Sequence, residues 1–196
     1  MFHPVHMEGV ESMKKFYTSA VVCLMAIAGA ALAAEELKSG LPVGEQVPAF
    51  NVRDITGPSK GKTLCYRCQY GARPVVTVFT RDLTDNVKDL VQKIDTQVGE
   101  NKDKKMAAFV VVLTEDPDAI EPKIEALAKQ AKIANTPLTI VEGASGPSEY
   151  KLSKDAEVTV MMWVDSEVKV NQAFAKGKLD KKAVASLVSE TKKILE

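Results

Sequence analysis

Histidine is nearly absent from this chain of 196 residues, since the two that occur, His3 and His6, lie at its very start. The remaining chain therefore has no histidine for a Ser-His-Asp or Cys-His catalytic arrangement, or for a metal site. Cysteine is scarce too: the three present are too few for a structural zinc site. Haem attachment through Cys-x-x-Cys-His is excluded because Gln69 follows Cys68. The sequence predicts neither a metal nor a cofactor.

An excess of charge of either sign is also missing, because 26 basic residues balance 26 acidic ones. Nothing in this balance predicts binding to nucleic acid or to a membrane surface. The charges are nevertheless unevenly distributed. No acidic residue lies between Asp54 and Asp82, whereas that interval contains five basic residues: Lys60, Lys62, Arg67, Arg73 and Arg81.

The N-terminal residues have the pattern of a secretory signal peptide. From Met13 the chain has two lysines, an apolar run over about residues 20–30, and small residues up to Ala33. The apolar run is short for a membrane span. We expect translation from Met13, cleavage after Ala33 and a periplasmic or secreted protein without a membrane anchor. Cleavage would remove both histidines and Cys23, leaving one pair of cysteines.

The hydrophobic pattern of the remaining chain alternates between strands and helices. Apolar, β-branched runs predict strands at 74–80, 106–114 and 137–141, and a later hairpin with Asp165-Ser166 as its turn. One-sided apolar spacing predicts helices at 83–98, 118–132 and 180–195. This order is typical of an α/β three-layer sandwich in which helices flank a central mixed sheet. We divide the chain into a signal peptide with its upstream extension (1–33), an N-terminal arm or hairpin (34–60) and one domain (61–196).

The arm contains the pattern G-x-x-V-P-A-F-N-V-x-D-x-x-G, which runs from Gly44 to Gly57. Together with the element order, it resembles the thioredoxin superfamily, and in particular the peroxiredoxin or redoxin branch. Members of that branch open with Gly-x-x-Ala-Pro-x-Phe and have a later Asp-x-x-Gly. The resemblance covers about residues 44–195 and implies a thioredoxin-like fold.

The chain departs from that family at the usual reaction centre. Peroxiredoxins place a nucleophilic cysteine in Pro-x-x-x-Thr-x-x-Cys, where a helix begins after the first core strand. Here Thr84 matches the threonine, but Val87 stands in the place of the cysteine. The Cys-x-x-Cys pair of thioredoxins is missing from the same turn, and no proline stands near Glu157 or Val158, where their cis-proline would fall. Ordinary peroxidase activity is therefore not expected.

The pair Cys65 and Cys68 is the remaining candidate site. In an exported protein it is expected to form an intramolecular disulfide. In one interpretation the pair exchanges electrons with the thiols of a partner protein, and Arg67 stabilises the thiolate. In the alternative, the protein is a non-catalytic thioredoxin-like binding or scaffold module with a structural disulfide. So short a loop would contribute only roughly 2 kcal/mol to stability as a staple.

The position of the pair and the acids near the emptied centre leave these interpretations open. A pair that precedes a strand of six residues would lie about 20 Å from the emptied centre at the far end of that strand. The pair therefore cannot simply replace the missing cysteines, unless the chain folds back. A third interpretation is an enzyme of different chemistry that uses Asp82 and Asp85, although carboxylates at a helix start more often act as caps.

Overall fold

The apolar, β-branched runs form the strands of one seven-stranded mixed sheet. The strands are β1 (Val52–Asp54), β2 (Thr63–Leu64), β3 (Val75–Thr80), β4 (Ala107–Thr114), β5 (Leu138–Glu142), β6 (Ala156–Val164) and β7 (Glu167–Ala175). Their order is β2-β1-β5-β4-β3-β6-β7, and β3, β4 and β5 are parallel. The computed structural model describes Met1 and residues 37–196, so the predicted signal peptide lies outside the described residues.

Side-chain caps start each of the longer helices. Thr84, Asp116 and Asp180 each accept a hydrogen bond from the backbone N–H three residues further on. The helices are α1 (Tyr66–Tyr70), α2 (Asp85–Glu100), α3 (Pro117–Ala131), α4 (Lys181–Glu190) and α5 (Lys192–Leu195), with a 3-10 turn at Ser148–Tyr150. The predicted final helix is thus divided at Thr191. No helix within residues 37–196 has the length and apolarity that crossing a membrane requires.

The two faces of the sheet carry different layers. Alternate residues of β4 illustrate this, since Val110 packs among the residues of α2, α3 and α4, whereas Phe109 packs on the other side. That second side is covered by α1, by Tyr150 of the 3-10 turn and by the extended segment 41–50. The predicted mixed sheet with flanking helices is confirmed, with the long helices of the described residues gathered on one face.

Two hairpins fix the edges of the sheet. Asp165 and Ser166 form the predicted two-residue turn between β6 and β7, and both have positive φ angles, of 53° and 64°. Near the N-terminus, β1 pairs with β2, which begins at Thr63, beyond the predicted arm of residues 34–60. The segment before β1 lies beside β7 at the opposite edge of the sheet, where the Val47 N–H donates to the Ser166 carbonyl at 2.8 Å.

Candidate functional site

The predicted disulfide between Cys65 and Cys68 is present, at the start of α1. Cys65 is the N-cap of this helix, and its Sγ accepts a hydrogen bond from the Cys68 N–H at 3.0 Å. Cys68 is exposed, whereas Cys65 is half-buried. The disulfide is therefore open to a thiol from solution, and one of its sulfurs has a backbone N–H donor that would stabilise a thiolate.

An aromatic platform holds the disulfide helix on the sheet. The rings of Tyr66 and Tyr70 stack with their centroids 5.3 Å apart. Both pack on Phe109 of β4, at 5.6 and 6.1 Å. A helix of five residues has little stability of its own. Its position is therefore fixed by these ring contacts rather than by helix propensity.

A buried carboxylate anchors the same helix. Asp54 is fully buried, and its Oδ2 accepts a hydrogen bond from the Tyr66 hydroxyl at 2.8 Å. It also accepts from the backbone N–H groups of Gly57, at 2.7 Å, and Ser59, at 2.8 Å. A Cβ at position 57 would lie 2.6 Å from Asp54 Oδ2, so only glycine fits there. The Asp-x-x-Gly motif thus holds Tyr66, the first of the two residues between the cysteines, in place.

Burial keeps the tyrosines of this face neutral. Desolvation raises the pKa of Tyr66 far above its ordinary value, and the hydrogen bond to Asp54 raises it further. Burial likewise raises the pKa of Tyr70 and of Tyr150, against the opposing charges of Arg73 and Arg67 respectively. These hydroxyls act as hydrogen-bond donors in the folded protein rather than as proton carriers near neutral pH.

Arg67, the second residue between the cysteines, joins the helix to the N-terminal segment. Its Nε donates a hydrogen bond to the Val47 carbonyl at 2.8 Å. The side chain is half-buried, and its charge lies close enough to Tyr150 to oppose the upward shift of that tyrosine's pKa. The positive charge predicted beside the sulfurs thus lies between α1 and the segment that crosses the sheet.

The place where peroxiredoxins and thioredoxins have their reactive cysteines, at the start of α2, is occupied here by Val87 and by the Arg81 guanidinium. Val87 is fully buried in the core beneath α2, and its N–H donates to the Thr84 hydroxyl at 3.3 Å. The Arg81 guanidinium occupies the turn before α2, where it donates to the carbonyls of Ala156 and Ala144. Burial lowers the pKa of Arg81. The residues 37–196 also contain no cis peptide bond.

The disulfide and this filled centre lie on opposite faces of the sheet. Tyr66 belongs to the aromatic cluster, whereas Val87 belongs to the core under the long helices. The chain after α1 reaches the end of the sheet where β3 begins, and there the Ala72 carbonyl accepts from the Asp165 N–H at 3.1 Å. The sheet itself, in addition to the length of β3, therefore separates the two places.

The carboxylates of the third interpretation make only local contacts. Asp82 accepts from the neighbouring Leu83 N–H at 2.7 Å, and Asp85 pairs with Lys88 at 3.3 Å. Both acids are exposed. Over the described part of the chain, no group of three potential ligands is placed to hold a metal ion.

The comparisons with known proteins agree with this architecture. A candidate protein disulfide isomerase of Bacteroides thetaiotaomicron matches with a TM-score of 0.60 and 19% identity, over 81% of this chain and 94% of that chain. A thiol:disulfide interchange protein of the thioredoxin family from Chlorobium tepidum matches with a TM-score of 0.55 and 9% identity, over 80% of this chain and 99% of that chain. The chain has a thioredoxin-like fold. A yeast mitochondrial 1-Cys peroxiredoxin matches with a TM-score of 0.54 and 13% identity, over 76% of this chain and 73% of that chain.

No family model and no curated protein sequence matches the chain. The thioredoxin-like fold predicted from the order of elements is confirmed by the structural matches, which at these identities speak for the fold. Sequence reasoning missed two parts of the site, the helical conformation of the cysteine segment and the anchoring role of Asp54. The Asp-x-x-Gly pattern was the available signal for the second.

Proposed function

We propose that this protein exchanges thiols and disulfides with a partner protein through Cys65 and Cys68. The observation that carries the proposal is an exposed disulfide whose Cys65 Sγ accepts a backbone N–H at 3.0 Å on a thioredoxin-like fold. Such a hydrogen bond favours the thiolate and makes the sulfur a better leaving group. The names of two structural matches, a candidate disulfide isomerase and a disulfide interchange protein, support the same chemistry.

The unequal exposure of the two sulfurs gives the exchange a direction. A partner thiolate attacks Cys68, which is exposed, and forms a mixed disulfide while Cys65 leaves as a thiolate. The partner's second thiolate then attacks the mixed disulfide and releases Cys68. The partner dithiol becomes a disulfide, and the two electrons and two protons that it loses reduce the pair in this protein. The reverse sequence oxidises the pair.

Arg67 is the proposed source of additional thiolate stabilisation. Arg67 stands between the two cysteines in the sequence, and the segment from Ile55 to Arg81 contains no acid to offset its charge. Export to the periplasm or beyond, after removal of residues 1–33, completes the proposal, because an oxidising compartment keeps such pairs as disulfides.

The test is turnover of a protein disulfide substrate by residues 34–196, compared with the variants Cys65→Ser and Cys68→Ser. Each variant removes one of the two sulfurs that must alternate, so we expect at least a 100-fold loss of turnover. Thermal unfolding of each variant confirms that the loss is not one of folding. If both variants fold stably and retain the parent's turnover, the pair is a staple and the protein a scaffold.

The direction of exchange is checked in the same preparation. The oxidised protein is treated briefly with a monothiol, quenched with acid and mapped by mass spectrometry. The adduct is expected on Cys68, because that residue is the exposed member of the pair. An adduct on Cys65 alone would reverse the assigned roles without removing the exchange activity.

A further inference from the structure

Basic side chains lie beside the C-terminal end of the disulfide helix. The Arg73 guanidinium lies over the ring of Tyr70, with Cζ 5.1 Å from the ring centroid. Its Nε donates to the Lys105 carbonyl at 2.6 Å. These contacts join the turn between α2 and β4 to α1. We call the surface formed by the half-buried Arg73 and the exposed Lys102 and Lys105 the basic surface.

The charges of this surface are not neutralised within the described part of the chain. Residues 37–196 supply no carboxylate in an ion pair with Arg73, Lys102 or Lys105. Three acids lie nearby: Asp103 in the same turn, Asp165 beside Ala72, and the buried Asp54, whose charge acts on Tyr70. None of the three forms an ion pair with the basic surface within residues 37–196. The Lys104 ammonium is turned away, to the Leu195 carbonyl at 2.7 Å.

Acids lie at the opposite end of the parallel strands. Asp82 stands two residues after β3, Glu115 directly follows β4 and Glu142 ends β5, and all three are exposed. That end of the sheet also carries Arg81, Lys154 and Lys176, so the unpaired charge of the basic surface acts as a local field beside α1. Such a field orients an approaching charged partner and raises its rate of association.

We propose that the basic surface docks an acidic segment next to the cysteines of a partner protein. The inference rests on the proposed function, since the adjacent disulfide requires a partner that brings thiols. Two electrons and two protons then pass from the partner dithiol to the pair of Cys65 and Cys68, and the partner is left with a disulfide. Docking raises the encounter rate and leaves the equilibrium between the two redox pairs unchanged.

The experiment uses two synthetic dithiol peptides of equal length, each with one Cys-x-x-Cys pair, flanked by three glutamates or by three lysines. The second-order rate of reduction of residues 34–196 is measured with each peptide at low and at high salt. Each rate is divided by that of the same peptide with hydroxyethyl disulfide, a small neutral substrate. This removes the effect of the flanking charges on the peptide's own thiol pKa values.

We expect the corrected rate of the acidic peptide to exceed that of the basic one by about 10-fold at low salt, and by less than about 2-fold at 0.5 M salt. The double variant Lys102→Glu/Lys105→Glu should abolish the preference. The control Lys154→Glu/Lys176→Glu makes the same charge change at exposed positions beyond the paired Ala156 and Ala175, at the other end of the sheet. It should retain the preference.

Reduction by dithiothreitol, which is neutral and small, distinguishes a failure of the docking proposal from a failure of the proposed exchange function. If dithiothreitol reduces all forms readily but the peptides show no difference, or the control loses the preference equally, the docking proposal is wrong and the exchange function stands. If neither dithiothreitol nor the peptides reduce the pair at a useful rate, the proposed function itself is wrong.

Discussion

Replacing Asp54 with alanine should lower the free energy of unfolding by about 3 to 5 kcal/mol. The buried carboxylate accepts hydrogen bonds from Tyr66, Gly57 and Ser59. Alanine would leave these donors without a partner in a site that excludes water. Urea denaturation measures the change. Tyr66→Phe removes one of the three donors and should have a smaller effect, of about 1 to 2 kcal/mol, so it serves if Asp54→Ala fails to fold.

Asp95→Ala is the matched control for this prediction. Asp95 is also buried, and it accepts from the N–H groups of Ala134 and Asn135, on the face of the long helices. Its loss should destabilise the protein without changing the rate at which dithiothreitol reduces the disulfide in native buffer. Asp54→Ala should raise that rate, because α1 loses its anchor. A rate change no larger than that of Asp95→Ala would show that Asp54 does not position the pair.

Replacing Phe109 with alanine should lower the free energy of unfolding by about 3 to 5 kcal/mol. The ring is fully buried and lies at the centre of the aromatic cluster, with centroids 5.6 Å from Tyr66, 6.1 Å from Tyr70 and 6.2 Å from Trp163. Truncation would leave a cavity directly beneath α1. Faster reduction of the disulfide should therefore accompany the loss of stability, as measured by urea denaturation and by the dithiothreitol rate.

Phe79→Ala is the control, since Phe79 is a buried phenylalanine on the same face. Its ring contacts Phe50 and Tyr150, at 5.8 and 5.3 Å, with no ring contact to α1. It should cost similar stability and leave the reduction rate near that of the parent. Equal acceleration in both variants would mean that the disulfide responds to global stability rather than to its own platform.

Much of the fold follows from local sequence signals. Runs such as Val75–Thr80 are continuous and β-branched, as buried strands require, and Asp165-Ser166 suits a turn with two positive φ angles. Thr84 caps α2, and Asp116 caps α3 with Pro117 at its first position, where the missing N–H of proline is tolerated.

The site depended on tertiary contacts that no periodicity reveals. A five-residue helix is too short for an apolar stripe, so α1 was not predicted. The bond between Asp54 and Tyr66 joins residues on separate elements, and its geometry depends on how β1 and α1 pack. Which face of the sheet receives the cysteines is likewise decided by packing on Phe109. The emptied centre was predictable, because Val87 stands where a nucleophile would.

The fold thus has two places with different roles. At the turn before α2 the Arg81 guanidinium is bound to carbonyl oxygens, and in the first turn of α2 the buried Val87 stands where peroxiredoxins place their cysteine. The other face carries a disulfide with one exposed cysteine, an anchored helix and, within residues 37–196, basic side chains outside any ion pair. We therefore propose the redox chemistry at a surface that the usual centre does not share.

The reduction potential of the Cys65 and Cys68 pair tests this assignment most directly. Residues 34–196 are equilibrated in dithiothreitol and glutathione buffers of known potential, the free thiols are alkylated, and the oxidised fraction is measured by mass spectrometry. We predict a midpoint between about −270 and −120 mV, the range of proteins that exchange disulfides. A midpoint below about −300 mV, as structural disulfides have, would contradict the account.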